Sequence, residues 1–222
     1  AFVATKEPIV SFKRIGLFTT LAVSAAALTA CSSLGLGSKS TTYEAQLYPL
    51  NIDVTGAEAS GTAKMEITGD KLVITVDMVG VPPNTVHWQH LHGLQAGGAA
   101  SCARPSDDAN GDNIIDLMET ERASGTTMVP FNDAPADMDI PHGTYPTATA
   151  AGTYHYSQEV SLKKLEKAFA KAYDGQKLDL DERVIYVHGV PANTRLPGSV
   201  ASLGPVPAHV TLPIACGQFT KR

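Results

Sequence analysis

The chain has 222 residues, of which 43% are hydrophobic and 18% charged, and its formal net charge is −5. An acidic chain without a cluster of Lys and Arg lacks the basic surface that nucleic-acid binding requires. These properties exclude nucleic acid as a partner and predict one globular domain.

The N-terminal stretch has the layout of a secretory signal. An apolar run over residues 15–30 follows two basic residues and ends in Leu-Thr-Ala-Cys31. It is too short for a membrane span with stop-transfer flanks. The cysteine resembles that of a bacterial lipobox, which implies removal of residues 1–30 and a lipid on Cys31; an ordinary signal peptide with a chance cysteine is the alternative. Losing three basic residues and one acidic residue would change the net charge from −5 to −7. We expect an extracytoplasmic protein anchored to a bacterial membrane, in the periplasm or at the cell surface.

Residues 31–42 are rich in Ser, Gly and Thr, a composition typical of a flexible tether. The folded domain is predicted over residues 43–217. If Cys31 carries lipid, Cys102 and Cys216 remain as a pair, and an oxidising compartment favours a disulfide between them. Two buried free thiols are the alternative.

The first part of the domain predicts antiparallel strands. Period-two alternation marks two arms joined by Gly69-Asp70, which is typical of a β-hairpin. A further strand, after a Pro-Pro-Asn turn, carries three histidines. The predicted strands cover residues 43–54, 63–68, 71–78 and 85–92.

The second part has longer connections. Residues 93–158 show little periodicity, and so long a loop should be functional or carry its own structure. Residues 161–173 predict a helix, with Ser161 as its cap and an apolar face. Strands are predicted over residues 183–190 and 209–214. Many short strands with one helix predict a mainly β fold, an antiparallel β-sandwich or barrel.

Three of the seven histidines fall together, in His87-Trp-Gln-His90-Leu-His92. His90 and His92 are two apart, so on a strand both point to the same face. Neutral imidazoles suit copper and zinc. His188 lies on an apolar strand, where a buried histidine needs a partner. Alone it fits a hydrogen-bonded core histidine better, but with the pair it predicts a three-histidine metal site.

This motif, with Cys102 ten residues beyond His92, resembles the copper strand of copper/zinc superoxide dismutases. Val187-His188 is similar to that family's later copper-ligand strand, and Ala215-Cys216-Gly217 to its disulfide end. Residues 59–80 are similar to its N-terminal hairpins. The related CHRD domains share part of the pattern and are usually not enzymes.

The resemblance implies a Greek-key β-sandwich or barrel. It implies copper held by His90, His92 and His188, which would also be the catalytic residues, and a structural role for His87 beneath the site. It implies that the Cys102–Cys216 disulfide anchors a long inserted loop to the barrel.

Two departures from the family pattern matter. Between Cys102 and His188 only His142 and His155 are present, without the spacing of the family's zinc loop, so a zinc site is not expected. His142 is a candidate fourth copper ligand. Pro213 stands where the family has an arginine that steers the superoxide anion.

Residues 108–119 fit the twelve-residue calcium loop of an EF-hand. Position 6, usually glycine, is Asn113, a residue that tolerates positive φ. No flanking helix pair is evident, so we expect a structural calcium that stiffens the loop; a polar Asp/Asn loop is the alternative. The predicted ligands are the side chains of Asp108, Asn110, Asp112, Asp116 and Glu119, and the carbonyl of Ile114.

Two functions follow. One is a copper-dependent oxidoreductase that dismutes superoxide. The other is a non-catalytic module, either copper-holding or CHRD-like, whose protein partner the sequence does not identify. The missing zinc ligands and arginine favour the module, whereas the intact triad favours an enzyme or a copper store.

Overall fold

The computed structural model describes residues 39–56 and 58–222. The predicted signal, Cys31 and most of the predicted tether therefore lie outside the described residues. The first strand begins at Ser40, so the tether cannot reach residue 42 as predicted. The backbone N–H of Arg222 donates to the carbonyl of Thr42, so the domain also extends past residue 217. In the described part of the chain, no helix has the length and apolar character needed to cross a bilayer.

In the described residues, nine strands form one sheet in which all pairings are antiparallel, which confirms the predicted mainly β class. In chain order the strands are β1 (Ser40–Pro49), β2 (Ser60–Thr68), β3 (Lys71–Val79), β4 (Gln89–Gly93), β5 (Thr126–Pro130), β6 (Thr153–Ser161), β7 (Val184–His188), β8 (Pro213–Gln218) and β9 (Thr220–Lys221). Their order in the sheet is β5-β4-β7-β8-β1-β2-β3-β6, and β9 pairs with β1. The pairing of β3 with β6 and of β4 with β7 is the kind of non-sequential neighbour that a Greek-key arrangement requires.

The helices are short and lie in the connections. They are α1 (Ile52–Thr55), α2 (Leu117–Ser124), α3 (Leu162–Ala172) and α4 (Ala208–Thr211). The predicted helix is confirmed as α3: the Ser161 hydroxyl accepts the N–H of Lys164, and Leu165 and Phe169 are buried.

The predicted hairpin is confirmed as β2 and β3, joined at Gly69-Asp70. Gly69 has φ of 62°, a conformation that glycine adopts without steric cost. Alternate residues of β3, from Leu72 to Met78, are buried in the core while the residues between them are half-buried or exposed. The alternation in the sequence therefore reports the two faces of the sheet correctly.

The sheet curls so that its two edge strands, β5 and β6, come near each other. The Tyr156 hydroxyl donates to the carbonyl of Asn132 at 2.8 Å, and the Gln158 side-chain amide donates to that of Asp133 at 3.0 Å. Side chains of β6 thereby contact the backbone that follows β5.

Residues 93–158 contain α2, β5 and the first part of β6, so this segment carries its own structure, one of the two outcomes predicted for it. Several predicted boundaries are wrong. Residues 208–211 form α4, and the last long strand begins at Pro213 rather than at residue 209. The α2 helix has no apolar stripe because the side chains it buries, Glu119, Thr120 and Ser124, are polar.

Candidate metal centre

Strand register brings the predicted histidine triad together. In the pairing of β4 with β7, His90 lies opposite Tyr186 and His92 opposite Val184. Directly opposite residues share a face of the sheet, and residues two apart on one strand do too. The rings of His90, His92, Tyr186 and His188 therefore project to the same side.

The three imidazoles form a compact, buried group. Ring centroids are 5.0 Å apart for His90 and His92, 4.5 Å for His90 and His188, and 5.9 Å for His92 and His188. Their exposed fractions are 4%, 1% and 2% in chain order. One nitrogen from each ring lies within 4.8 Å of the other two. Three nitrogens bound tetrahedrally at about 2.0–2.1 Å lie roughly 3.3 Å apart, so only small ring rotations separate the group from a metal site.

Backbone carbonyls orient two of these rings. The Nδ1–H of His188 donates to the carbonyl of Thr211 at 2.7 Å, and the Nδ1–H of His92 donates to that of Gly125 at 3.3 Å. In both rings the Nε2 lone pair is then the atom available to a metal, as in many metal-binding histidines. In His92 that lone pair accepts the Thr127 hydroxyl at 3.2 Å, whereas in His188 it has no hydrogen-bond partner.

Two buried ring nitrogens have no hydrogen-bond partner: Nδ1 of His90 and Nε2 of His188. An unpaired buried polar atom costs on the order of 1–3 kcal/mol. Both nitrogens belong to the triad, so a metal ion there would supply the bonding partner that the protein does not.

The triad is neutral over most of the pH range. Burial lowers the pKa of His92 to about 3 and that of His188 to about 4, and for His92 the neighbouring His188 adds to the effect. Burial also lowers the pKa of His90 well below its ordinary value, helped by the other two rings. The ring nitrogens that would bind a metal therefore carry no proton at neutral pH.

His87 lies behind the triad, where its ring stacks on Tyr154 at a centroid distance of 5.7 Å and both ring nitrogens face backbone carbonyls. Its Nδ1 is 3.0 Å from the carbonyl oxygen of His188, and its Nε2 is 3.0 Å from that of Pro82. A neutral ring can donate to only one of the two. Burial lowers the pKa of His87, which disfavours the doubly protonated ring. His87 thus links the segment before β4 to the end of β7.

The long insertion is attached to the sheet beside the triad. The predicted disulfide is confirmed: Cys102 and Cys216 are bonded, with Cα atoms 5.8 Å apart. Tyr186, opposite Cys216 in the sheet, accepts the N–H of Ala103 and lies 2.6 Å from the Ser124 hydroxyl. Since Ser124 donates to the carbonyl of Ser101, Tyr186 donates to Ser124.

The structure does not add His142 or His155 to the triad. Both are exposed, and each ring pairs through Nδ1 with a carboxylate, His142 with Asp139 at 2.9 Å and His155 with Asp77 at 2.6 Å. In the residues described, the triad is the one group of three or more His, Cys, Asp or Glu side chains within metal-ligand distance.

The loop at residues 108–119 is folded around its own side-chain oxygens. Asp108 accepts the N–H groups of Gly111 and Asn113, and Asn113 has φ of 63°, as position 6 of a calcium loop needs. Glu119 accepts the N–H groups of Ala109 and Asp116. One helix, α2, begins near the end of the loop with Asp116 as its cap, but in the described residues only a short 3-10 turn directly precedes the loop, so there is no flanking pair of α-helices.

The remaining predicted loop ligands make similar bonds. Asn110 accepts the N–H of Asp112, and Asp112 accepts that of Ile114 and the hydroxyl of Ser199. Asp116 and Glu119 are buried, at 3% and 5% exposed. These oxygens therefore satisfy the loop's own N–H groups.

Sequence reasoning missed the groups that position the triad. Gly125 and Thr211 act through their backbone carbonyls, which no residue-type signal reveals. Tyr186 was predicted only as part of an apolar strand. Its place opposite His90 in the register is the signal that could have found it.

A cavity of about 320 Å³ opens in front of the triad, with His90 and His188 in its wall. The other lining residues are mostly apolar, and none is Lys, Arg, Asp or Glu. The site is therefore reachable by a small molecule, but no charged side chain guides an anion along the cavity.

No protein family matches the sequence, and no curated protein matches it. Among solved structures, the chain is similar to a copper/zinc superoxide dismutase from Brucella abortus, with a TM-score of 0.42 and 22% identity. The likeness covers 81% of this chain and 99% of that chain.

Proposed function

We propose that this domain is a copper-binding protein and that His90, His92 and His188 hold the metal. The observation that carries this is the pair of buried, unpartnered nitrogens, Nδ1 of His90 and Nε2 of His188, beside the ring of His92. Three neutral imidazoles in an apolar setting form a ready ligand set.

Copper is the metal that this ligand set favours. The group contains no thiolate or carboxylate, and imidazole ligands suit copper and zinc. At a given nitrogen site copper(II) binds more tightly than the other divalent first-row metals. The carbonyls that accept from His92 and His188 fix both rings before the metal arrives.

Copper titration of the metal-free protein tests the proposal. We expect one copper(II) per chain, an electron paramagnetic resonance spectrum with nitrogen ligands, and weaker binding of zinc. Tighter binding of zinc than of copper would overturn the choice of metal. Copper binding that is unchanged in His188→Gln would overturn the assignment of the triad as the copper site.

Superoxide dismutation is the second candidate, because the cavity gives a small molecule access to His90 and His188. Bound copper would supply the reversible one-electron chemistry that this reaction needs. The test is superoxide removal by the copper-loaded protein, with His90→Ala and His188→Ala as controls. A rate no higher than that of free copper would leave a non-catalytic module, copper-holding or CHRD-like.

The proposed location is outside the cytoplasm, on a lipid anchor at Cys31. The Cys102–Cys216 disulfide supports an oxidising compartment. Metabolic labelling with a fatty-acid analogue should mark the wild type and leave Cys31→Ala unlabelled. Equal labelling of both would contradict the anchor.

We also propose that the loop at residues 108–119 binds one structural calcium ion. The left-handed Asn113, the Asp116 cap and the two bonds accepted by Glu119 support this, because they fix the backbone of the turn that carries the predicted ligands. Asp116 and Glu119 are buried carboxylates that accept hydrogen bonds from neutral backbone N–H groups. A cation would offset that charge.

A further inference from the structure

The cavity in front of the triad has an apolar body. The apolar part of its wall comes from four separate segments: the approach to β4, the start of α2, the loop at residues 140–141, and the turn at residues 203–206. This apolar lining includes Trp88, Leu117, Ile140, Pro141, Leu203 and Val206. Such a surface favours the transfer of an apolar ligand out of water.

The wall is held in place without a ligand. The Trp88 ring stacks on Tyr145 at a centroid distance of 5.3 Å, and the Tyr145 hydroxyl donates to the carbonyl of Ile140. Two backbone hydrogen bonds close the turn between Leu203 and Val206. A preformed wall lowers the entropic cost of binding.

The cavity is polar only at its inner end. Its polar lining residues are His90, His188, Thr127 and Thr211. Thr127 contacts the ring of His92, and the carbonyl of Thr211 accepts from His188, so these groups adjoin one another at the triad. A matching ligand has one polar atom directed at the histidines and an apolar remainder.

The volume of the cavity and the absence of charged lining residues narrow the chemical class of its ligand further. The 320 Å³ is about ten times the roughly 30 Å³ that a water molecule occupies in the liquid. This is far more than a diatomic anion needs, and the lining residues include no charged group that would balance an anion. The flat surfaces of Trp88 and Pro141 suit a ring.

We propose that this cavity binds a small, uncharged, phenol-like molecule with its hydroxyl toward the histidine triad. The contact between hydroxyl and metal rests on the proposed function, whereas binding of the ring needs only the cavity. The phenol class combines an apolar ring with one polar group and, with a pKa near 10, is uncharged at neutral pH.

Trp88 is the chain's single tryptophan, so its fluorescence reports directly on the cavity. The probe is 4-ethylphenol, with about nine non-hydrogen atoms, and we expect saturable binding with a Kd on the order of 0.1–1 mM. Ethylbenzene, which lacks the hydroxyl, should bind about 5-fold more weakly. 4-Ethylbenzoate, which carries a charge, should bind to the metal-free protein at least ~10-fold more weakly. No saturable signal for 4-ethylphenol, or equally tight binding of 4-ethylbenzoate to the metal-free protein, would overturn the proposal.

A charge in the wall gives a second test. Leu203 is 51% exposed, so Leu203→Arg should fold normally while placing a guanidinium at the cavity. We expect 4-ethylphenol to bind at least ~10-fold more weakly and 4-ethylbenzoate to bind more tightly than to the wild type. Met118→Arg is the matched control, since Met118 is exposed and does not line the cavity. Unchanged ligand preference in Leu203→Arg, or the same change in Met118→Arg, would contradict the assignment.

The titrations are made on metal-free and copper-loaded protein. Saturable 4-ethylphenol binding to the metal-free protein supports the cavity even if copper does not bind to the triad. Equal affinity for 4-ethylphenol and ethylbenzene in both forms would overturn the orientation of the hydroxyl. Copper binding without any ligand binding would overturn the cavity proposal alone.

Discussion

The histidine triad and the loop at residues 108–119 are built in opposite ways. The triad joins strands that lie far apart in the chain, and it leaves two buried nitrogens without a partner. The loop gathers its oxygens within twelve residues, and its own N–H groups already occupy many of them. A site made by strand register thus retains free ligand atoms at fixed positions, whereas a site made by local turns has to share its oxygens between backbone and ion.

The largest expected effect comes from removing a triad ligand. His188→Gln should weaken copper binding at least ~100-fold, because even partners outside the ligand set typically cost 10- to 100-fold. Titration followed by electron paramagnetic resonance measures this. His155→Gln is the matched control, since His155 is an exposed histidine away from the triad. Comparable losses of copper affinity in both variants would show that the triad is not the copper site, and the contrast with the loop would then fail.

Breaking the link between the two regions should cost about 2–4 kcal/mol in the free energy of unfolding. The Cys102→Ser, Cys216→Ser double variant removes the bond that ties the insertion to β8. Denaturant unfolding measures the change. A variant as stable as the wild type would mean that the Tyr186 and Ser124 contacts hold the insertion alone.

Acid should distinguish the two regions, because the loss of stability at low pH is expected to come from the triad histidines. In the unfolded chain the histidines titrate near pH 6.5, but in the fold burial lowers the pKa of His92 to about 3 and of His188 to about 4. The unfolded state therefore binds more protons below pH 6.5, and the folded state loses stability as the pH falls from there towards 4. For these two residues together the loss approaches about 2.7 kcal/mol per pH unit.

Denaturant unfolding of the metal-free protein at several pH values measures this dependence. His92→Gln should reduce the slope by about a third, because His90, whose pKa burial also lowers, contributes beside His92 and His188. His155→Gln, in which the exposed histidine is removed, should leave the slope nearly unchanged. An unaltered slope in His92→Gln would contradict burial of a neutral ring.

Calcium removal should have the smallest effect. A chelator should lower the melting temperature by a few degrees, about what roughly 2 kcal/mol of lost binding energy produces. Asp108→Ala should abolish that response, because Asp108 supplies the first position of the loop. Glu121→Gln, an exposed change on α2, is the control. A chelator response that persists in Asp108→Ala would assign the ion to another place.

The sequence predicted best those elements whose pattern is local. Alternation marked β2 and β3, and the apolar face with Ser161 marked α3. His90 and His92 needed only a strand to face the same way. His188 was assigned to the triad from its place on an apolar strand beside the evidence of the His90 and His92 pair, and the resemblance supported that assignment. The register that brings the strands together is not written in either strand alone.

The elements that sequence reasoning missed have weak local signals. The α2 helix buries polar side chains, including Asp116 at its cap and Glu119, so it shows no apolar periodicity. β5 is an edge strand of five residues within a segment rich in turn residues. The apolar wall of the cavity comes from four distant segments, and none of its residues is distinctive by itself.

The bonds from Tyr156 and Gln158 to the backbone after β5 bear on how copies of this chain behave at high density. An open sheet normally offers its margins to other strands, and that is a route to polymerisation. Here side chains of one edge strand are hydrogen-bonded, within the same molecule, to the backbone next to the other edge strand. The carbonyls of Asn132 and Asp133 are thereby occupied within one molecule and are not offered to a strand of a second copy.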